Sequence, residues 1–226
     1  MRNPDQMVKR EILKAFLKAK IGEELSLSRL SRETGIPKDV VEDVLSSVKD
    51  LVDFEDGKVR IGEDDRIQIA VLCLNLGADI SYVARYLDWR EFERFTASIL
   101  EAYGYIVYRG FRFKSMGRRW EIDILALKKP TVLCLNCKHH LRQNWSILRK
   151  AAREELSRAE AFKQALKRLK LDPKPSKGWW ILPVLVTLFK PRSRIYEGIP
   201  IVQITELRNF LEELALYKSF FKTLNL

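Results

Sequence analysis

The sequence is short of the features that mark secretion, membrane insertion or structural zinc. Cysteine occurs only at Cys73, Cys134 and Cys137, an odd number set in apolar or strand-like surroundings, which argues against a disulfide framework. Cys134-Leu135-Asn136-Cys137 spells one CxxC without the second pair of a zinc site, and two strand thiols account for it more simply. No apolar run is long enough to span a bilayer, and the opening MRNPDQMVKREILKAF has neither the apolar core nor the small-residue cleavage site of a signal peptide. A cytoplasmic chain with no membrane partner is expected. Internal repeats and low-complexity segments are also missing.

What is present is a chain of 226 residues, 46% hydrophobic, enough for a small domain plus a medium one. Its net charge of +11 is unevenly placed. Residues 1–62 hold 12 Lys/Arg against 12 Asp/Glu, so residues 63–226 carry the whole excess, 29 against 18. The stretch 138–170 is the most lopsided, with ten basic residues and three acids, Glu154, Glu155 and Glu160. A solvated helix face is the plain explanation of such a run; phosphate contact is the functional one, since neutralising a phosphate backbone releases condensed counterions.

Residues 6–19 have helical apolar spacing through Met7, Ile12, Leu13, Phe16 and Leu17. A second helix over LSRLSRETG closes at Gly35, a third over KDVVEDVLSSVKDL follows, and Asp56-Gly57 between alternating apolar residues predicts a hairpin. Three helices and a hairpin over 1–62 read as a small winged-helix-like domain. Asp39, Glu42, Asp43 and Asp50 outnumber Lys38 and Lys49 on the third helix, so its exposed face repels phosphates. Docking of a protein partner, or a purely structural role, therefore stands beside DNA reading. Residues 63–88 read as a helical connector with a break at Gly77. From 89 the order is α-β-β-β-α-β-β-α, an α/β fold with a central mixed sheet flanked by helices over 89–226.

In the strand WEIDILAL, Glu121 and Asp123 alternate with Trp120, Ile122 and Ile124; in TVLCLNCK, Asn136 and Lys138 share a face. A hairpin turning at Lys129-Pro130 brings Asp123 close to Asn136 and Lys138. An Asp123–Lys138 ion pair would explain the two charges structurally. Phosphodiester cleavage would explain them chemically: Asp123 holds a hard cation, and Lys138 orients the water or stabilises charge in the transition state.

The run Glu121-Ile122-Asp123-Ile124-Leu125-Ala126-Leu127, followed thirteen positions after the aspartate by Asn136-Cys137-Lys138, resembles the PD-(D/E)xK motif of restriction-endonuclease-like nucleases, as in archaeal Holliday-junction resolvases and Mrr-type endonucleases. Phe92-Glu93 ahead of Tyr103-Gly104-Tyr105 is similar to the first-helix glutamate of those families. The resemblance covers about residues 89–205. It implies that Glu93 is an outer metal ligand, Asp123 the central ligand, Asn136 a third ligand and Lys138 the catalytic lysine. It further implies Mg²⁺ or Mn²⁺ as cofactor, DNA as substrate and a homodimer. The family has an acid where this chain has Asn136, and Glu121 is a candidate replacement ligand. Arg112, Lys114, Arg118 and Arg119 beside the hairpin, and Arg142, Arg149, Lys150 and Arg153 along the basic helix, are candidate phosphate contacts. The expected function is a metal-dependent DNA endonuclease, acting on branched or foreign DNA; the alternatives are a catalytically inactive nucleic-acid-binding or regulatory protein that keeps the nuclease fold, and a scaffold. Trp145, Trp179 and Trp180 are possible base-stacking residues, the latter two being expected partly in the core.

Overall fold

The computed structural model describes residues 4–20, 22–139 and 145–226, with the backbone alone described at positions 4, 63 and 64. It divides into two compact units, 1–87 and 88–226.

The first unit runs α1 (Pro4–Lys18), β1 (Leu25–Ser26), α2 (Leu27–Thr34), α3 (Lys38–Ser46), β2 (Asp53–Glu55), β3 (Lys58–Arg60), α4 (Glu63–Asn75) and α5 (Ile80–Arg85). Ile12, Leu13, Phe16 and Leu17 of α1 meet Leu30, Val41 and Leu45 in its core, whereas Met7, at the start of the expected apolar stripe, is exposed. Ser26 caps α2 by accepting the Arg29 N–H, and Gly35 ends it in the left-handed region. The strands form a sheet of order β1-β3-β2. Asp56 and Gly57 both take positive φ between β2 and β3, the geometry of the tight turn that matches strand twist. Asp39, Glu42 and Asp43 of α3 are exposed, so the acidic face stands in solvent.

The segment expected as a connector forms α4 and α5, which are packed inside this unit. Arg66 of α4 holds them there. Its buried guanidinium donates to the carbonyls of Phe16, Leu17 and Ala19 at 3.2, 2.7 and 2.6 Å, and to Tyr86 at 2.6 Å. The open carbonyl end of α1 thus finds its donors in one side chain, and the positive charge complements the negative pole of that helix. Arg66→Met keeps the length but strands four buried carbonyls, and is expected to destabilise the first unit by about 3 kcal/mol or more. Hydrogen exchange checks it: protection should fall across 1–87 and hold across 88–226, whereas unchanged exchange in 1–87 would show that these bonds contribute little.

The second unit runs α6 (Trp89–Ala102), β4 (Ile106–Ser115), β5 (Arg118–Lys128), β6 (Thr131–Lys138), α7 (Trp145–Ala165), β7 (Trp180–Thr187), β8 (Ile195–Tyr196), β9 (Ile199–Gln203), α8 (Leu207–Tyr217) and β10 (Leu224–Asn225). It is an α/β unit with a mixed central sheet flanked by helices. The strand order is β4-β5-β6-β7-β9-β8, with β10 added against β7. β4, β5 and β6 are antiparallel, while β7 and β9 run parallel to β6. The two-residue strands β8 and β10 were too short to carry an alternating pattern and are additions to the expected order.

Beneath α7, Phe162, Ala159 and Ala165 pack on Leu125, Leu127, Val132 and Cys134. By alternation Leu133, Leu135 and Cys137 face the other side, against which α6 packs. α6 begins with a reciprocal cap, the Asp88 side chain accepting the Glu91 N–H at 2.8 Å and the Glu91 side chain accepting the Asp88 N–H at 2.7 Å. It ends at Tyr103-Gly104, where the Lys128 ammonium donates to the Tyr103 carbonyl at 2.6 Å.

Candidate active site

Two neighbouring strands part company at Asp123. The β5–β6 ladder runs from Lys128 opposite Thr131 to Ile124 opposite Leu135 and stops there. Beyond that point β6 continues along β7 as far as Lys138, and β5 continues along β4 as far as Arg118. Asp123 is the first residue past the last pair, level with Asn136. Its carboxylate bridges the opening: Oδ2 accepts the Cys137 N–H at 3.0 Å, replacing the strand partner that this amide has lost.

On the other side of β5, Gly110 stands opposite Asp123 with φ of 54°, while Arg109–Ile124 and Phe111–Ile122 pair on either side of it. The register is the same before and after, so this is a kink without an inserted residue. Ile122 and Leu125, three positions apart, both belong to the core beneath α7, so the alternation of β5 is interrupted between them. A positive φ inside a strand requires glycine at position 110.

The charged residues expected at the site collect around this fork. Glu93 of α6 is pushed up to about 7, first by burial and then by the negative charges of Asp123 and Glu121, with Lys138 and Arg109 opposing. Burial also raises Asp123, against the Cys137 amide and the positive charges of Lys138 and Arg158. Among the described residues no ion pair joins Asp123 to Lys138; they act on one another through the field alone. Phe92 packs on His139 with ring centres 5.2 Å apart, which seats α6 beside the end of β6. Glu121 takes no part in holding the fork. Its exposed carboxylate accepts Arg112 Nε at 2.9 Å.

Asn136 is almost wholly buried and turns inward. Its Nδ2 donates to Oε2 of Glu155 at 3.2 Å, and Arg158 Nη1 reaches the same oxygen at 2.7 Å. Glu155, on α7, is fully buried and pushed up to about 7, burial outweighing the help of Arg158 and Asn136 while the Asp123 charge adds to the rise. Among the described residues neither Oδ1 of Asn136 nor Oε1 of Glu155 has a hydrogen-bond partner. Glu155 escaped notice in the sequence because it counts there as one acid in a basic run. The signal that could have found it is periodicity: Leu148, Ala151, Ala152, Glu155, Ala159 and Phe162 form the buried stripe of α7, and an acid occupies one of its positions.

Of the candidate phosphate contacts, Lys114, Arg118 and Arg119 are exposed on the β4–β5 hairpin. Lys114 and Arg119 stand directly opposite one another, a like-charge pairing that an anion would relieve. Arg118 stacks 3.5 Å from the centre of the Trp120 ring, and Arg112 is engaged by Glu121. On α7, Arg149 and Lys150 are exposed, but Arg153 is held by Glu197 at 2.7 Å and by the Tyr196 hydroxyl. Arg142 lies outside the described residues. Trp179 and Trp180 are buried, and Trp145 meets Tyr196 edge to face at 5.9 Å. All three cysteines are free thiols; burial raises Cys134 and Cys137 well above their ordinary range.

Among the described residues no three His, Cys, Asp or Glu side chains are gathered into a ready cation cage. The donors at the fork are nonetheless all oxygen, two of them buried without partners. That set fits Mg²⁺ or Mn²⁺, because Mg²⁺ is commonly held by one or two carboxylates together with waters and substrate phosphates.

Residues 88–188 match the family model described as "Nuclease-related domain". An uncharacterized protein of Archaeoglobus fulgidus is 30% identical over 137 residues, which is 60% of this chain and 98% of that protein. Three solved structures are distant neighbours. A protein of unknown function, AF1548, aligns with a TM-score of 0.36 at 16% identity, over 51% of this chain and 58% of its own. Protein VC1899 from Vibrio cholerae aligns at 0.37 and 13%, over 96% of this chain and 52% of its own. The restriction endonuclease PspGI, solved with substrate DNA, aligns at 0.34 and 10%, over 93% and 92%. The chain thus spans little more than half the length of the first two. Among the described residues no helix is long and apolar enough to cross a membrane.

The two raised carboxyls, Glu93 and Glu155, make a pH prediction. Each takes up a proton on folding in the window between its ordinary value of 4.5 and about 7. Their contribution to stability is therefore present at the acid end of that window and lost as pH rises through about 7. In EDTA the Tm of the second unit should fall between about pH 5.5 and about pH 8, and Glu93→Gln should flatten part of the slope. A Tm that is level or rises over that range would contradict the burial of these charges.

Proposed function

We propose that the chain, which belongs to the same family as the Archaeoglobus fulgidus protein, is a nuclease that hydrolyses DNA phosphodiester bonds with the help of Mg²⁺ or Mn²⁺ at the β5–β6 fork. The observation that carries this reading is the gathering of Glu93, Asp123 and Lys138 from three different elements around the strand opening, with Glu93 pushed up to about 7 by burial first and by the charges of Asp123 and Glu121 second. Carboxylates crowded in this way favour a cation between them and the substrate. The nuclease-related match over 88–188 contains all three residues.

Asp123, held in place by the Cys137 amide, would be the central ligand of such a cation, and Glu93 would support it from α6. A bound divalent cation would lower the pKa of an attacking water and offset charge on the phosphate. Lys138, half-buried at the end of β6, would orient that water and place an ammonium beside the charge that develops in the transition state. Lys114, Arg118 and Arg119, together with Arg149 and Lys150, contact backbone phosphates and set affinity rather than sequence. Cutting both strands of a duplex calls for two copies of the site, hence a homodimer. The winged-helix-like first unit, with acid on the exposed face of α3, suits a protein partner better than DNA.

A second reading is favoured by one observation, the neutral Asn136 where the PD-(D/E)xK pattern has an acid. On that reading the fold binds nucleic acid without cutting it.

One assay separates the two. Labelled linear duplex, single-stranded and four-way-junction DNA are incubated with Mg²⁺, Mn²⁺ or EDTA. Cation-dependent cutting should drop at least about a hundredfold in Asp123→Asn, which keeps an acceptor for the Cys137 amide, and in Lys138→Ala. DNA affinity should persist in both. Tight, salt-sensitive binding with no cutting on any substrate would overturn the nuclease reading in favour of the binding one.

A further inference from the structure

We propose that Glu155 of α7 supplies the second carboxylate of the fork, taking over from the acid that position 136 lacks, and that Asn136 is the residue that positions it toward a divalent cation. This inference rests on the nuclease reading of the same site.

Glu155 is out of place on its helix. The other acids of α7, Glu154 and Glu160, are exposed among the basic residues, whereas Glu155 is 0% exposed on the stripe that packs against the sheet. A carboxylate so placed must be paired to persist as an anion. Its pairing is one-sided: Asn136 Nδ2 and Arg158 Nη1 both reach Oε2, and among the described residues Oε1 has no donor. A guanidinium has a fork of donors that can engage both oxygens of a carboxylate, but Arg158 Nη2 lies 4.0 Å from Glu154 instead. Here one oxygen is tied down and the other is kept open.

Asn136 repeats the pattern. Having given its amide N–H to a carboxylate, it must turn its carbonyl oxygen away, and among the described residues that buried Oδ1 has no donor either. The next residue along β6, Cys137, holds Asp123 through its backbone N–H. Two consecutive residues of one strand thus fix two carboxylates, Asp123 by a main-chain bond and Glu155 by a side-chain bond. The negative charge of Asp123 adds to the rise that burial imposes on Glu155. Two carboxylates and an amide oxygen, two of these groups with open buried lone pairs, form a hard-donor set that suits Mg²⁺ or Mn²⁺ and neither a thiophilic metal nor an organic cation.

Glu121, the replacement that the sequence suggested, is less fit for the role. It is exposed and its carboxylate is engaged by Arg112. An acid restored at position 136 would stand beside Glu155, and the two would be tolerated together only with a cation present.

The test uses the full-length chain, with Mn²⁺ as the probe in calorimetric titration and in thermal unfolding, and DNA cleavage as an additional readout. Glu155→Gln preserves size and should fold. It is expected to weaken Mn²⁺ binding at least tenfold, to abolish the rise in Tm that Mn²⁺ gives the wild type, and to cut cleavage at least a hundredfold, with DNA affinity in EDTA unchanged. The double variant Asn136→Asp/Glu155→Gln moves the acid back to β6 and should regain Mn²⁺ binding at least in part, which a merely structural role for Glu155 cannot explain. Wild-type binding and cleavage by Glu155→Gln would overturn this proposal and leave the nuclease reading intact. A wild-type chain that binds no Mn²⁺ and cuts no DNA would overturn both.

Discussion

The second unit is organised by a single hydrogen bond, from the Cys137 amide to the Asp123 carboxylate. A sheet in which two antiparallel strands separate leaves main-chain donors facing an opening, and such groups are costly unless something answers them. Asp123 answers with a charge. The same side chain that closes the backbone account therefore brings a half-buried carboxylate to the opening between β5 and β6, within the electrostatic reach of Glu93 and Lys138. Glu93 is destabilised as an anion by it, while Lys138 and Arg158 offset it. The kink at Gly110, on the far edge of β5, accompanies the interruption in alternation that lets Asp123 turn into the gap.

Much of this was legible from residue patterns. The turn at Lys129-Pro130 sets the register of β5 on β6, and with it the level of Asp123 relative to Asn136, because a hairpin with a short turn has little freedom to slip. The stripe of Phe92, Phe95, Ile99 and Leu100 specifies α6 and leaves Glu93 at its margin. Two features were hidden. Alternation is a local rule, and it cannot show that two strands paired over five positions will diverge at the sixth, since the divergence depends on which neighbour each strand keeps. Burial of Glu155 was hidden by the charge of its surroundings: a count over 138–170 treats all its acids alike, although only one of them lies on the apolar stripe.

The first unit illustrates the same limit from another side. Hydrophobic spacing identified α1 and α3, but residues 63–88 looked like a connector because nothing in their pattern announces a buried guanidinium. Arg66 reads as a surface residue until the carbonyl end of α1 is placed against it. Tertiary hydrogen bonding to main-chain groups leaves almost no trace in side-chain composition.

The edge position of β4 has a further consequence. A ten-residue strand with one unpaired side is a template on which another chain can add, and such edges nucleate aggregates unless charge keeps them apart. Arg109, Arg112 and Lys114 are spaced along this edge. These cations keep copies of the sheet from zipping together. Sequence drift that removed them would therefore meet a colloidal penalty, whatever else the same side chains do.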